Sequence, residues 1–300
     1  MVGLDVSDSH LAAVQLAFSR DNSIRLETAG WATPPPGADL RQLSEAVRQL
    51  FRSAGLSRNA VCAAFHSPRL VVKHFRHVHL DDKELAHALA IDAEETLQQA
   101  NSEFYMDWHA NTEFVHGQPI DGVLVAMPKS EVDRNLEMLA MADIFPRIVD
   151  AGCLAVCNLY LQLKGRASQD HAVVVVSLSR NRADIAILSG ERHVFPRSIF
   201  SPQDTWNDSA AYLAECVSDT IKYHQFILHG PPVERMVLTG AVPQREQLVS
   251  HLRELVPLMA FWNPVADLPF ISERLRPQLD RTIGAGLATS LGLALRRDAM

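Results

Sequence analysis

Cysteine is scarce in this chain. The four residues, Cys62, Cys153, Cys157 and Cys216, form no Cys-x-x-Cys pair and no evenly spaced framework, which argues against a disulfide scaffold or a zinc ribbon. Cys153 and Cys157 share a helical face at i, i+4, but two sulfurs without a nearby histidine do not make a metal site, and all four read as buried thiols. Long apolar runs are missing as well. The most apolar stretch, Ile283 to Leu295, is broken by Gly284, Gly286, Thr289, Ser290 and Gly292, and it falls short of the roughly 20 residues that span a bilayer. No basic-then-apolar leader opens the chain, since Val2 to Val6 reads at once as a strand, so a cytoplasmic location is expected. Positive charge is not in excess either: the formal net charge is -7, which removes nucleic acid as a default partner. Trp206, Trp262 and the phenylalanines stand at packing positions, without the basic and aromatic interleaving that single-stranded nucleic acid needs.

What is present is enough apolar material to fold. With 47% hydrophobic residues in 300, the chain can bury one large or two moderate cores. Val2–Val6 and Leu11–Phe18 flank a turn at Ser7, Asp8, Ser9 and His10, and Ile24–Thr28 alternates as a third strand. Asp39 opens a helix carrying Leu40, Leu43, Val47, Leu50 and Phe51, with Gly55 as its stop. Val61–Phe65 and Leu70–Leu80 read as strands. Asp81 or Asp82 caps a helix with Leu85, Leu89, Ile91 and Leu97 inward. Phe104–His109, Glu113–His116 and Gly122–Met127 fit a small sheet, and Ser130–Met141 a helix with Val132, Leu136 and Leu139 inward.

Ile148–Asp150 predicts a short strand and Cys153–Leu163 a helix, before a polar junction at 164–169. A second series then begins. His171–Leu178, Ala183–Leu188 and Val194–Phe200 read as strands, the first with the valine run of a strand buried on both faces. Trp206–Leu228 predicts one long helix with Leu213, Val217, Ile221 and Ile227 inward. Met236–Leu238 is a strand, Gln244–Leu255 a helix, Leu258–Phe261 a strand, and Thr282–Arg297 a single C-terminal helix. Each half thus starts with three hairpin-linked strands and continues with helices. Two similar α/β halves facing a cleft are the architecture of the actin-like, ribonuclease-H-like fold.

Gly3-Leu4-Asp5 with Ala13-Val14-Gln15-Leu16, Gly190 with Phe195-Pro196-Arg197-Ser198-Ile199, Leu238-Thr239-Gly240, Asn263-Pro264 and Leu291-Gly292-Leu293-Ala294-Leu295-Arg296 stand in an order and spacing that extend over nearly the whole chain. In these pieces the sequence resembles the PilM family of type IV pilus assembly proteins, actin-like relatives of the division protein FtsA. The resemblance implies a first half made of residues 1–70 and 146–168, a small inserted subdomain of the 1C type over 71–145, a second half over 169–281, and a C-terminal helix over 282–300 returning to the first half. It also implies a cytoplasmic scaffold at the inner face of the inner membrane that holds the cytoplasmic N-terminal tail of a bitopic, PilN-like partner.

An actin-like nucleotide site uses tight turns whose backbone N–H groups approach phosphates, with glycine where a Cβ would crowd them. Those glycines are missing. Asp5, Ser7 and Ser9 occupy the first turn, where the family pattern is Asp-Ile-Gly-Ser-Ser, and Ala12 replaces the family lysine. Ser177 and Ser179 occupy the second, where relatives carry Asp-Ile-Gly. Gly240 keeps one glycine of the third, and Arg180 and Arg182 lie close by in sequence. This degenerate set implies ATP and Mg²⁺ binding without turnover, or none at all, and therefore a pseudo-ATPase with no catalytic residues. An ATP-gated switch or weak ATPase and a nucleotide-free GspL-like assembly domain stay open as alternatives. A Ser-His-Asp reading of Ser7, Ser9, His10 and Asp5 fails because no Gly-x-Ser-x-Gly elbow accompanies it.

His77 and His79 lie on one strand face at period two, beside Lys73, and no third metal ligand joins them. Arg69, Lys73 and Arg76, with His74, His77 and His79, instead make a basic strip suited to an acidic partner or anionic lipid. A peptide groove between the first half and the insert is expected, flanked by Arg69, Lys73 and Arg76 on one side and Phe145, Arg147 and Asp150 on the other.

Overall fold

Short apolar strands around tight turns build the first half. β1 (Val2–Val6), β2 (Leu11–Phe18) and β3 (Ile24–Ala32) form an antiparallel meander in which Val2 faces Gln15 and Leu11 faces Ala32. α1 (Leu40–Ala54) follows. Asp39 accepts from the Gln42 N–H while the Gln42 side chain accepts from the Asp39 N–H, and Gly55 ends the helix at φ 67°. β4 (Val61–Phe65) returns parallel to β1. The computed structural model describes residues 1–7, 10–20, 23–78, 80–110, 119–165, 170–190, 192–203, 205–206, 208–241 and 245–296.

Between β4 and its next neighbour in the sheet, the chain makes an excursion. β5 (Val71–His77), α2 (Asp82–Leu97), β6 (Phe104–Ala110) and β7 (Ile120–Pro128) form a separate antiparallel sheet of order β5-β7-β6. Leu85, Leu89 and Leu97 of α2 pack with Phe75, Phe104 and Leu124 of that sheet. α3 (Lys129–Met141) leads back, and its Val132, Met138 and Leu139 join Val47 and Phe51 of α1 in the first-half core. β8 (Ile148–Asp150) then pairs parallel to β4, and α4 (Gly152–Lys164) follows.

The second half repeats the plan. β9 (Ala172–Leu178), β10 (Arg182–Ser189) and β11 (Arg192–Phe200) are antiparallel, α5 (Ala210–Lys222) follows, and β12 (Val233–Gly240) runs parallel to β9. α6 (Arg245–Leu252) leads to β13 (Leu258–Phe261), parallel to β12. The strand orders β3-β2-β1-β4-β8 and β11-β10-β9-β12-β13 are the same arrangement twice, with β14 (Phe270–Ile271) added outside β3. α7 (Arg281–Gly286) and α8 (Ala288–Ala294) end the described chain. One apolar cluster joins the halves: Ala12 and Val14 of β2, Val156 and Leu159 of α4, Val175 of β9, Ala186 and Leu188 of β10, and Leu291 of α8. All four cysteines are buried and unpaired.

Several expectations need correction. The helix expected over Trp206–Leu228 begins only at Ala210 and passes into a five-residue π-helical segment, Tyr223–Ile227. That wider turn breaks the 3.6-residue stripe, so Ile227 is 61% exposed. Ile91 is 44% exposed rather than inward, because the buried stripe of α2 runs Leu85, Leu89, Ala93, Leu97 and a residue two beyond Leu89 faces away from it. The single C-terminal helix is two, separated at Leu287. The strand expected over Glu113–His116 lies outside the described residues.

Two glycines set how closely α8 approaches its neighbours. A Cβ at Gly3 would stand 1.9 Å from the Ser290 carbonyl oxygen, and one at Gly292 would stand 2.0 Å from that of Ala155. Both obstacles are backbone, so relief requires moving a helix. Gly292→Ala is therefore expected to cost about 3 kcal/mol of unfolding free energy, read as a lower urea midpoint at unchanged m. An unchanged midpoint would show that α8 is not seated as described.

Candidate functional site

The ends of β1, β9 and β12 meet where the halves face each other. Asp5 is 5% exposed near the end of β1. Ser7 spends its hydroxyl within its own turn, donating to the His10 carbonyl at 2.9 Å and accepting from the His10 N–H at 3.0 Å. Ser179 does the same in the second turn, where its N–H donates to the Arg182 carbonyl at 2.8 Å and its hydroxyl points there at 3.4 Å. Ser9 lies outside the described residues. Gly240 has φ 98°, and a Cβ there would stand 1.9 Å from the Leu178 carbonyl, so the third turn lies directly on the second. Thr239 reaches the Ala285 carbonyl at 3.4 Å, and His10 Nε2 donates to that of Gly286 at 3.2 Å, which ties α7 to the first and third turns.

Strand register places a second acid beside the second-turn candidate Ser177. Asp184 of β10 sits directly across from Ser177 of β9, which in turn faces Thr239 of β12. Asp184 is 3% exposed and Arg182, on the same face of β10, is 5% exposed, with Arg182 Nε 3.3 Å from Asp184 Oδ2. Asp184 Oδ1 accepts from the Ser198 hydroxyl at 2.6 Å, and the Arg182 carbonyl accepts from the Trp206 indole at 3.2 Å. Asp5 bonds Nε2 of His66, itself buried beyond the end of β4. Burial alone pushes the Asp5 carboxyl up. The charge and hydrogen bond of His66, with the charges of Arg182 and His10, outweigh burial and hold it at about 2. Arg182 was noted beside the second turn, but His66 and Asp184 escaped the reading of turn motifs. The signal for Asp184 was a lone charge inside the apolar run Ala183–Leu188, two residues after Arg182.

A groove with a volume of about 780 Å³ lies between the insert and the first half. One wall is the small sheet at its β6 edge: Tyr105, Asp107 and His109 of β6 pair with Met127, Val125 and Val123 of β7, and Met106 and Trp108 of the same edge strand also line it. The opposite wall is Phe65, Val149, Asp150, Leu154, Asn158 and Arg296, and α3 closes one end with Val132 and Leu136. Asp150 Oδ1 accepts from the Ala151 N–H at 2.8 Å and Oδ2 from Arg296 Nε at 2.5 Å, which leaves the rest of that guanidinium to the groove.

Of the residues expected to flank this groove, Asp150 lines it and the others do not. Lys73 pairs with Leu124 in register, so it stands on the α2 face of the sheet, 3.8 Å from Asp92, where His77 also lies at 3.6 Å. Arg76 is on the far edge strand, since the order is β5-β7-β6, and β5 packs against β11 of the second half. Arg69 is 3.7 Å from Glu131. Phe145 is 71% exposed outside the lining, and Arg147 is held by its N–H to the Val61 carbonyl at 2.8 Å. His74 stands 3.8 Å from Asp121, and His79 lies outside the described residues.

The sequence matches the family model for type IV pilus assembly protein PilM over residues 3–201. No curated protein sequence matches it. Among solved structures it is similar to a chain of a PilM-PilN type IV pilus biogenesis complex, at 18% identity, covering 98% of this chain and 97% of that one, with a TM-score of 0.81. It is also similar to a Bacteroides thetaiotaomicron protein with an actin-like ATPase fold, at 13% identity, 88% and 90% coverage and a TM-score of 0.55. A third likeness is to the cytoplasmic domain of EpsL, an inner membrane component of the type II secretion system of Vibrio cholerae, at 10% identity, 85% and 93% coverage and a TM-score of 0.51. These likenesses establish the actin-like fold.

The lowered Asp5 carboxyl has a consequence for acid stability. A depressed carboxyl stabilises the fold above its unfolded value of 3.8 and loses that contribution as pH falls towards about 2. The shift corresponds to about 2 kcal/mol. Asp5→Asn is therefore expected to be less stable than the parent at neutral pH, with the difference shrinking from about pH 4 to about pH 2 in urea unfolding series. Curves that stay parallel through that window would refute the pairing of Asp5 with His66.

Proposed function

Because the chain belongs to the family of type IV pilus assembly protein PilM, we propose that it is an assembly scaffold whose groove holds the cytoplasmic N-terminal tail of a bitopic, PilN-like partner. The groove carries this reading. It is concave and mixes apolar side chains such as Phe65, Val149 and Leu154 with polar groups at Asp107, His109, Asn158 and Arg296, and that combination suits an extended peptide, whose backbone needs polar partners and whose side chains need apolar ones. β6 is an edge strand of its sheet and pairs with β7 alone among the described residues. A tail can add backbone hydrogen bonds at such an edge while alternate side chains enter apolar pockets. The structure with a TM-score of 0.81 comes from a PilM-PilN complex, which supports a partner of that kind. Among the described residues no helix is long and apolar enough to cross a membrane, so in this reading the partner holds the scaffold at the inner face of the inner membrane.

The same proposal makes the cleft a pseudo-ATPase site. Its residues do not fit a metal-bound nucleotide: the Ser7 and Ser179 hydroxyls are spent within their turns, Asp5 is bonded to His66, and Gly240 is covered by Leu178. An ATP-gated switch needs those groups free to meet phosphate. The likeness to the EpsL cytoplasmic domain extends to the fold alone and does not bear on nucleotide.

Two measurements test this. A synthetic peptide copying the cytoplasmic tail of a PilN-type partner should bind the full chain, and Val149→Asp, on the exposed lip of the groove, should weaken it by roughly tenfold or more. Charge reversal at Lys73, on the opposite face of the small sheet, should leave the affinity unchanged. Equal binding by Val149→Asp, or loss through Lys73→Glu, would move the site elsewhere. Phosphate release from Mg²⁺-ATP should be the same for the parent and for Asp5→Ala, whereas release that the substitution abolishes would make the chain an ATPase.

A further inference from the structure

The open edge of β6 carries its own obstacle. A Cβ on Gly122 of β7 would stand 2.1 Å from the His109 carbonyl oxygen, so that carbonyl points into the sheet. Bonded and unbonded positions alternate along an antiparallel pair. The backbone groups of Asp107 and His109 therefore turn to β7, while those of Met106 and Trp108 face the open edge that lines the groove. At that edge the Trp108 N–H is already taken: it donates to Oδ1 of Asp107 at 2.8 Å. Asp107 is exposed, and no cation pairs with it among the described residues. Arg296, the guanidinium that shares the groove, is engaged by Asp150.

We propose that Asp107 reads charge on the incoming tail: it guards the edge of β6 in the unbound chain, and it pairs with a lysine or arginine of the tail in the complex. This inference rests on the peptide reading of the groove and names the chemistry of the peptide. A strand that joins β6 has to set one of its carbonyls on the Trp108 N–H, which displaces the Asp107 carboxylate. The displaced carboxylate loses a charge-assisted hydrogen bond, and a cationic group restores an equivalent partner. Side chains directly opposite each other on paired strands share a face, with Cβ atoms roughly 5 Å apart. A basic tail residue opposite Asp107 therefore stands beside it on the groove face, whereas an acidic one meets a like charge. Met106 and Trp108 point the other way, into the core of the insert. The guard also keeps unrelated strands off the edge, since a charged side chain there opposes pairing. Cytoplasmic segments next to membrane spans are enriched in lysine and arginine, so the tail of a bitopic protein supplies the required charge.

A charge swap in the full chain tests it, with a synthetic peptide copying the cytoplasmic tail of a PilN-type partner and versions in which each lysine and arginine is replaced in turn by glutamine. One replacement should weaken binding roughly tenfold and flatten its salt dependence. The same replacement should make no further difference to Asp107→Asn, whose amide oxygen can still hold the Trp108 N–H. Asp107→Lys should bind the unaltered peptide more weakly still, and it should regain affinity for a peptide with glutamate at that one position. The Trp108 amide should gain protection from hydrogen exchange when the peptide binds. Binding that responds to Val149→Asp but to neither Asp107→Asn nor Asp107→Lys, or that leaves the Trp108 amide unprotected, would overturn this inference and leave the peptide reading standing. A peptide that does not bind the parent chain would refute both.

Discussion

The backbone contact of α8 with β1 and α4 is the constraint on which the rest of the molecule depends. Hydrogen is the only substituent that the Gly3 and Gly292 positions admit, because carbonyl oxygens of Ser290 and Ala155 stand where a Cβ would be. With α8 seated that closely, Leu291 enters the cluster shared by both halves, and Leu293 packs with Cys62, Ala64 and Ala155. The helix also ends where it must for Arg296 to reach Asp150 and complete one wall of the groove. Interhelical distance, core continuity and groove chemistry therefore follow from two missing side chains.

Periodicity made most of the fold legible. The meander strands, the Asp39 and Gly55 caps and the repeat of three strands in each half carry period-two or 3.6 patterns bounded by turn residues, and those are local signals. What failed was non-local or depended on an irregular helix. Nothing in Tyr223–Ile227 announces a π-helical turn, yet that turn rotates Ile227 to the surface. Ser209 followed by Ala210 is a helix start by residue type, and the expected helix overran it by counting Trp206, which is buried in the second-half core ahead of the helix. Similarly, α3 follows the insert in sequence but shares its buried face with α1, a choice made by tertiary packing alone.

The site was legible by position and less so by partner. The family resemblance assigned the three turns, and the glycines missing from the first two pointed away from phosphate binding. Which side chains stand beside the turns depends on register: Asp184 neighbours Ser177 only because antiparallel pairing sets them opposite each other. His66 meets Asp5 across 61 residues of sequence. The basic strip shows the reverse problem. Lys73 looked available to a partner in the groove, but one position of strand parity turned it to α2 and Asp92, and such parity is fixed by pairing with β7 rather than by composition.

Cleft and groove share the first turn of α4. Ala151, Leu154 and Asn158 face the groove. Gly152 abuts His66, where a Cβ would stand 2.7 Å from the ring, and burial with the nearby Asp184 charge pushes the Cys153 thiol well up, so it stays protonated. A helix placed in this way could relay a change in the cleft to the groove only if the cleft had two states that a ligand distinguishes. Asp5 is met by His66, and Asp184 by Ser198 and Arg182, so both carboxylates have partners from the chain itself. In the proposed reading, a groove already formed in the unbound chain leaves only the tail to be ordered, which lowers the entropic cost of binding.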